Sequence, residues 1–135
     1  MMRHSIDTIV GHEGYNPPAT IGGVGCREIL GNSSYVYCQA SQGLVMATDP
    51  SVTIGITFLD SGTDRLQLQY NAIGNSYKGL NITKTNTGTW KRMALTITDA
   101  HFVHSMSYSA DIRIDNAFDG SVEYISAVDI TNNSY

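Results

Sequence analysis

The sequence predicts an all-β protein, folded as an antiparallel β-sandwich of about eight to ten short strands. Apolar and polar residues alternate with a period of two in several segments, which is typical of strands with one buried face. Turn-forming residues separate these segments at intervals of roughly 8–14 residues. No amphipathic helical pattern extends beyond two turns. Together these observations favour two packed sheets.

The first strands are expected near residues 5–10, 25–30 and 35–40, and five further segments alternate clearly. The alternating apolar residues of those five segments form the predicted core: Val52, Ile54, Ile56 and Phe58; Leu66, Leu68 and Tyr70; Met93, Leu95 and Ile97; Ile112 and Ile114; Val122, Tyr124, Val128 and Ile130. The segments between them, such as GNSS, DSGTD and NTG, carry turn chemistry. DAHF at 99–102 is expected to form a short helical turn before a long loop.

Length and composition indicate one domain covering residues 1–135. Apolar residues make up 41% and charged residues 15%, which suits one continuous core. Net charge is −4 and the basic residues are scattered, so neither nucleic acid nor a membrane surface is an expected partner. The first residues show no secretion signal, and the doubled methionine suggests a domain excised from a longer protein.

The outward positions of the predicted strands carry hydrogen-bonding groups of fixed geometry. They are Arg65, Gln67, Gln69, Arg92, Thr96, Thr98, Asp111 and Arg113. Amides and guanidinium groups make paired hydrogen bonds, so this set would suit a ligand rich in hydroxyl groups. A solvated sheet surface without a ligand is the alternative.

Carboxylates near the chain ends are candidate ligands for a structural calcium ion. Asp7 lies in the first predicted strand, Glu13 in the loop after it and Asp129 in the last strand. Terminal strands of sandwiches often pair, and calcium takes oxygen ligands from such segments. His101 and His104 lie three residues apart, but no further ligand pattern joins them to make a zinc site.

Cys26 and Cys38 flank a predicted hairpin turn at LGNSSY. Pairing Leu30 with Tyr35 would bring the two cysteines nearly opposite one another. A cross-strand disulfide and two buried free thiols are both open at this point.

Catalysis has little support in the sequence. There is no GxSxG elbow, and no serine, histidine and acid are seen to converge. Most acids lie in turns, where they bond to the backbone, and glycoside hydrolysis needs a carboxylate pair across a cleft.

Several segments resemble the non-catalytic β-sandwich modules appended to bacterial glycoside hydrolases and polysaccharide lyases. The resemblance spans roughly residues 20–130 and is carried most specifically by TGTWK, TDAHF and ADIRI, with YVYCQA and VEYISAVDI in support. It implies a jelly-roll carbohydrate-binding module, often with a structural calcium ion. It implies no particular sugar, and it leaves binding across a sheet face or at edge loops open.

The loop HFVHSMSYS departs from the resembled pattern, so His101, His104 and Tyr108 are candidates for loop-based specificity. Trp90 has two interpretations. In a regular strand it shares a face with Arg92 and would be a platform for a sugar ring, whereas a bulge after it would turn it inward as a structural plug.

We therefore expect carbohydrate binding without catalysis. The module would hold an attached catalytic domain of a secreted, extracellular enzyme near a polysaccharide or oligosaccharide ligand. The alternative is a structural or protein-interaction sandwich that spaces other domains and binds no sugar.

Overall fold

The computed structural model describes residues 17–30, 35–40, 51–103, 105–106, 110–119 and 121–133, together with the strand pairing of residues 2–5 and 7–9. The described strands are β1 (Met2–Ser5), β2 (Asp7–Ile9), β3 (Pro18–Ile21), β4 (Val24–Ile29), β5 (Val36–Gln39), β6 (Val52–Leu59), β7 (Arg65–Ala72), β8 (Asn75–Thr83), β9 (Trp90–Ile97), β10 (Ile112–Asp115) and β11 (Glu123–Asn132).

Two antiparallel sheets make up the described fold. Sheet A has the order β3-β4-β11-β6-β9, and β1 also pairs with β11. Sheet B has the order β2-β5-β10-β7-β8. Within this part of the chain, only β3–β4 and β7–β8 connect neighbouring strands of one sheet, and every other connection crosses to the opposite sheet. The predicted all-β sandwich is confirmed, and the crossing pattern fits a jelly-roll arrangement.

One apolar core lies between the sheets and receives alternate residues from both. Ile54, Ile56 and Phe58 of sheet A face Leu66 and Leu68 of sheet B, and all five side chains are buried. Met93 is the exception among the residues predicted for β9, because 41% of it is exposed on an edge strand of sheet A. No helix in the described segments is long and apolar enough to cross a bilayer.

A bulge in β11 changes which residues of that strand face the core. The register with β6 shifts between Ile125 and Ala127. Ile125 and Glu123 are therefore buried, whereas Val122 is 37% exposed. The prediction of Val122 and Tyr124 as core residues is wrong, because strict alternation does not survive an inserted residue, and Tyr124 is only half-buried between the buried Glu123 and Ile125.

The sequence prediction missed three strands, of which β3 and β8 are edge strands. β3 begins at Pro18, a residue that edge strands tolerate because its missing N–H is not needed there. β8 contains Lys78, Gly79 and Asn81 and shows little alternation. The third, β1, pairs with β11 as expected for terminal strands. The helical turn expected at 99–102 is also wrong, since Ala100 bridges to Ala72.

The hairpin predicted around LGNSSY does not form. β4 belongs to sheet A and β5 to sheet B, so the connection crosses the sandwich instead of pairing its two flanks. Cys26 and Cys38 are both free and buried. The hairpin geometry that made a cross-strand disulfide conceivable is therefore wrong.

Asp60, at the end of β6, fastens the loop between β8 and β9. Its carboxylate accepts hydrogen bonds from the backbone N–H and hydroxyl groups of Thr85 (2.7 Å each) and Thr87 (3.2 and 2.7 Å). Lys91 Nζ lies 3.2 Å from the same carboxylate. Burial of Asp60 opposes ionisation, but the hydrogen bonds from Thr85 and Thr87 outweigh it and hold the pKa far below its ordinary value.

We predict that Asp60→Asn destabilises the fold in a pH-dependent way. An amide replaces one carboxylate oxygen by an NH2 donor, so it loses either the bond from Thr85 N–H at Oδ1 or the three bonds at Oδ2. Because the folded-state pKa is lowered, the carboxylate's contribution is present above the unfolded-state pKa of roughly 4 and fades as pH falls below it. Thermal unfolding at pH 7 should show a clear deficit for the variant, and that deficit should shrink at pH 3. An equal deficit at both pH values would contradict this role.

Candidate functional site

The outer face of sheet B brings together polar and aromatic side chains from four strands. Arg113 of β10 lies opposite Tyr37 of β5 on one side and Gln69 of β7 on the other. Gln69 in turn lies opposite Gly79 of β8. The neighbours of these residues along β10 and β7, such as Ile112, are buried in the core, so the row faces outward.

Arg113 contacts two aromatic rings on this face. Its Cζ atom lies 4.1 Å from the ring centroid of Tyr35 and 4.3 Å from that of Tyr77. Nε donates to Oε1 of Gln69 at 2.5 Å, and Nη1 donates to the hydroxyl of Tyr37 at 3.4 Å. Stacking and hydrogen bonding together fix the plane of the guanidinium group.

Aromatic surface remains accessible on both sides of the arginine. Tyr77 is 36% exposed and Phe118 is 48% exposed. Phe118 packs edge-on against Tyr35, with ring centroids 6.2 Å apart, and Tyr35 also contacts Tyr37. The exposed parts of Tyr77 and Phe118 therefore offer apolar surface, which the contact with Arg113 positions for Tyr77 and the buried ring of Tyr35 positions for Phe118.

Gly79 leaves space for the side-chain amide of Gln67. A Cβ atom at Gly79 would lie 2.7 Å from Nε2 of Gln67, so the Gln67 side chain extends over a site where any other residue would obstruct it. We call the group Tyr35, Gln67, Gln69, Tyr77, Arg113 and Phe118 the arginine patch. It contains three of the residues predicted from strand parity, namely Gln67, Gln69 and Arg113.

Asp111 is also a predicted site residue, but it is not exposed on this surface. It is fully buried, and its carboxylate accepts a hydrogen bond from the N–H of Ala40 at 2.9 Å. The segment after β9 covers this end of the face, where Met106 packs with Tyr35 and Tyr37. The outward parity of Asp111 in the sequence could not show that Met106 and Ala110 pack against this end of the face.

The remaining predicted residues of this region lie beside the patch or outside the described residues. Arg65 is exposed at the start of β7. His101 is half-buried, and its backbone N–H donates to the carbonyl of Asn71 at 2.9 Å. His104 and Tyr108 lie outside the described residues, so their proposed role in loop specificity stays a prediction.

Arg92 belongs to the outer face of sheet A and is engaged by an acid. Its Nε and Nη2 donate to the two carboxylate oxygens of Asp129 at 3.0 and 2.5 Å. The guanidinium crosses over Gly55 of the intervening strand, where a Cβ atom would overlap it. Arg92 thus ties β9 to β11 across β6, on the opposite sheet from the patch.

Trp90 lies at the start of β9, on the same side of the strand as Arg92. The pairing of β6 with β9 is regular from Leu59–Trp90 onward, so the bulge considered from the sequence is absent. Trp90 is half-buried, and its indole Nε1 donates to the carbonyl of Ile21 at 3.2 Å. This contact fastens the β3–β4 hairpin and gives Trp90 a structural role apart from the arginine patch.

The calcium site expected from Asp7, Glu13 and Asp129 near the chain termini stays a prediction. Asp7 lies in β2 of sheet B, whereas Asp129 lies in β11 of sheet A and is bound by Arg92. Ser5, two residues before Asp7, is the residue that pairs with Asp129. Glu13 lies outside the described residues.

A different acidic cluster could hold a metal ion. One carboxylate oxygen each from Asp64, Asp119 and Glu123 lie within 4.8 Å of one another. However, the buried ammonium of Lys84 lies 3.1 Å from Asp64 Oδ1 and 2.9 Å from Glu123 Oε2. Burial of Glu123, aided by its hydrogen bond to Asp64, raises its pKa to about 8. A metal ion would compete with Lys84 for these oxygens.

Two cavities lie away from the arginine patch. One of about 400 Å³ is lined by residues of β4 and β11, including Cys26 and Val128. Another of about 340 Å³ lies beside Asp64, Arg65 and Asp119. No patch residue lines either of them.

Comparisons with known proteins place the fold. No protein-family model and no curated protein sequence matches the chain. Among solved structures, the unliganded CBM1 module of BiXyn10A aligns with a TM-score of 0.58 at 12% identity, covering 97% of this chain and 92% of that one. A variant of CBM29-2, a family 29 carbohydrate-binding module in complex with mannohexaose, aligns with a TM-score of 0.51 at 11% identity, covering 93% and 79%.

An enzyme is also similar over part of its length. The exo-β-1,3-galactanase of Phanerochaete chrysosporium, with galactose bound, aligns with a TM-score of 0.59 at 11% identity. The match covers 94% of this chain but only 29% of the galactanase chain. The chain therefore has the β-sandwich fold found in carbohydrate-binding modules.

We predict that the Arg92–Asp129 bridge depends on the missing side chain of Gly55. Gly55→Ala should cost about 1–3 kcal/mol of unfolding free energy by displacing the guanidinium. Arg92→Ala should cost only about 1 kcal/mol, since the arginine is partly exposed. In the Arg92→Ala background, Gly55→Ala should be nearly neutral, because the obstruction is gone. If the unfolding free-energy costs of Gly55→Ala and Arg92→Ala simply add in the double variant, as measured by denaturant unfolding, the placement of the Arg92 guanidinium over Gly55 is contradicted.

Proposed function

We propose that this domain binds carbohydrate without catalysing a reaction, through the arginine patch on the outer face of sheet B. The observation that carries the proposal is Arg113, whose guanidinium carbon lies over the rings of both Tyr35 and Tyr77 on the outer face of sheet B. A sugar requires apolar contact with its ring and hydrogen bonds with its hydroxyl groups. The aromatic rings and the amides around the planar guanidinium supply both. The likeness in fold to carbohydrate-binding modules supports the same function.

The chemistry of the patch matches the two-sided character of a pyranose. The C–H face of a sugar ring can pack on the exposed parts of Tyr77 and Phe118. Its hydroxyl groups can exchange hydrogen bonds with the Gln67 amide and with Asn81, the exposed residue opposite it. A sheet face of this kind lets a long polymer pass across it, which a closed pocket would not.

A non-catalytic role agrees with where the carboxylates lie. Glu123 has a raised pKa of about 8 beside Asp64, which is the arrangement expected of a catalytic acid. It is only 1% exposed and paired with Lys84, so a glycosidic bond cannot reach it. The likeness to the galactanase, which covers less than a third of that chain, does not by itself bring an activity to this domain.

The wider setting follows from this role. We propose that the domain is part of a larger extracellular enzyme and holds an attached catalytic domain near its polysaccharide. The resemblance of TGTWK, TDAHF and ADIRI to modules of such enzymes supports this.

Affinity electrophoresis against a panel of neutral and acidic polysaccharides tests the function. Retardation by at least one polymer, without release of reducing or unsaturated ends, is expected. Retardation by none would favour the alternative, a sandwich that spaces other domains. Release of sugar ends would contradict the non-catalytic assignment.

We predict that the patch aromatics carry the affinity. Tyr77→Ala and Phe118→Ala should each weaken binding by about tenfold, because each removes apolar surface on which a sugar ring can pack. Tyr124→Ala removes a tyrosine from β11 of sheet A and serves as the matched control. Isothermal titration calorimetry measures all three. Equal losses for Tyr77→Ala and Tyr124→Ala would contradict the assignment of the site to sheet B.

We also propose calcium as the metal ion that the cluster of Asp64, Asp119 and Glu123 would accept, because all its donors are carboxylate oxygens. The ammonium of Lys84 must leave these oxygens for the ion to bind. The cation would then have a structural role, linking the start of β7 to the region before β11.

Competition by Lys84 makes the calcium proposal testable. Calcium should raise the unfolding midpoint of Lys84→Met, measured against a chelator, more than it raises that of the unsubstituted protein. Differential scanning fluorimetry measures the shift, and Asp119→Asn in the Lys84→Met background should abolish it. Midpoints that do not respond to calcium in either protein would contradict the proposal.

A further inference from the structure

Among the described residues, Arg113 forms no ion pair with an acidic side chain, whereas several other cations do. Arg92 is paired with Asp129, Lys78 with Asp99, and Lys84 with Asp64 and Glu123. Around Arg113, the described residues supply only neutral contacts, namely the Gln69 amide, the Tyr37 hydroxyl and the two stacked rings. Its positive charge is therefore oriented by the fold but not neutralised by a direct ion pair.

The free donors of Arg113 point to the geometry of a ligand. A guanidinium has five N–H groups, and two are used by Gln69 and Tyr37. The donors that remain are one N–H of Nη1 and both of Nη2. Tyr35 and Tyr77 both contact the guanidinium, with ring centroids 4.1 and 4.3 Å from Cζ. The remaining N–H groups lie in the guanidinium plane, where a carboxylate or sulfate accepts paired hydrogen bonds.

The two carboxylates nearest to Arg113 along the chain, those of Asp111 and Asp115, are buried and accept hydrogen bonds from the backbone. Asp111 is buried and accepts from Ala40 N–H. Asp115 is also fully buried and accepts from Ala117 N–H at 2.6 Å. Burial is the main cause that raises the pKa of Asp115, and the charge of Arg113 acts in the opposite direction without outweighing it.

We propose that the arginine patch selects an acidic saccharide, whose anionic group binds in the plane of Arg113 while its ring packs on Tyr77 or Phe118. The inference rests on the proposed carbohydrate binding and names the class of ligand for the same site. A carboxylate of a uronic acid and a sulfate ester share this chemistry. The overall net charge of −4 does not oppose it, because selection depends on the local, unpaired guanidinium.

Matched polymers separate charge recognition from general sugar binding. Polygalacturonate and its fully methyl-esterified form share one backbone and differ in charge, and a sulfated galactan and its desulfated form make a second such pair. Isothermal titration calorimetry with the full chain should show at least tenfold tighter binding to the acidic member of one pair. The pair that discriminates identifies carboxylate or sulfate as the group recognised.

Two substitutions at Arg113 and one control assign the discrimination to this side chain. Arg113→Gln should abolish the preference for the acidic polymer, and Arg113→Lys should keep part of it, since a charge without the planar fork remains. Arg65→Gln removes another exposed arginine of β7 and should leave the preference unchanged. Unfolding midpoints of the variants establish that each is folded, and the comparison of polymers on the unsubstituted protein stands without them.

The possible outcomes distinguish the selection of acidic saccharides from carbohydrate binding itself. Equal affinity for the charged and uncharged members of both pairs would overturn the selection of acidic saccharides and leave carbohydrate binding intact. A preference lost equally in Arg65→Gln and Arg113→Gln would also overturn it, because it would reflect diffuse attraction. Failure to bind any polysaccharide would overturn the proposed function itself.

Discussion

The burial of alternate strand residues in one core is the constraint on which the rest of this structure depends. Ile56, Phe58 and Leu68 meet between the sheets, and each strand that contributes to the core presents its remaining residues outward. Arg113 points away from the core because Ile112 and Ile114 are needed inside it. The candidate site is therefore a consequence of strand parity and pairing, with its position fixed by a core that contains no part of it.

The two outer faces use their cations differently. On sheet A, the guanidinium of Arg92 is neutralised by Asp129 and serves to join three strands. On sheet B, the guanidinium of Arg113 is held by rings and an amide, which orient the charge without cancelling it. The first arrangement stabilises the fold, whereas the second keeps a charged group available at moderate cost, since aromatic stacking compensates part of its lost hydration.

Sequence reasoning reached much of the fold but only part of the site, for identifiable physical reasons. Period-two alternation located Leu66, Leu68 and Ile112 correctly and placed Gln69 and Arg113 on an outer face. It could not show that Tyr35, Tyr77 and Arg113 meet, because Tyr35 precedes β5 and the other two lie in β8 and β10, and the order of these strands depends on long-range pairing. Tyr35 and Tyr37 were visible as a pair beside the core residues Val36 and Cys38, a signal that could have pointed to this face. Likewise, the bulge in β11 that buries Glu123 follows from packing and leaves no local mark.

Chemical-shift mapping with a bound oligosaccharide tests the central claim most directly. Titration of ¹⁵N-labelled protein with an oligogalacturonate should shift the Arg113 Nε–H resonance and the side-chain amides of Gln67 and Gln69, while the Trp90 indole N–H on sheet A stays in place. Such a pattern would place the ligand on the arginine patch. Shifts centred on Trp90 and Arg92, with the patch resonances unchanged, would contradict the account.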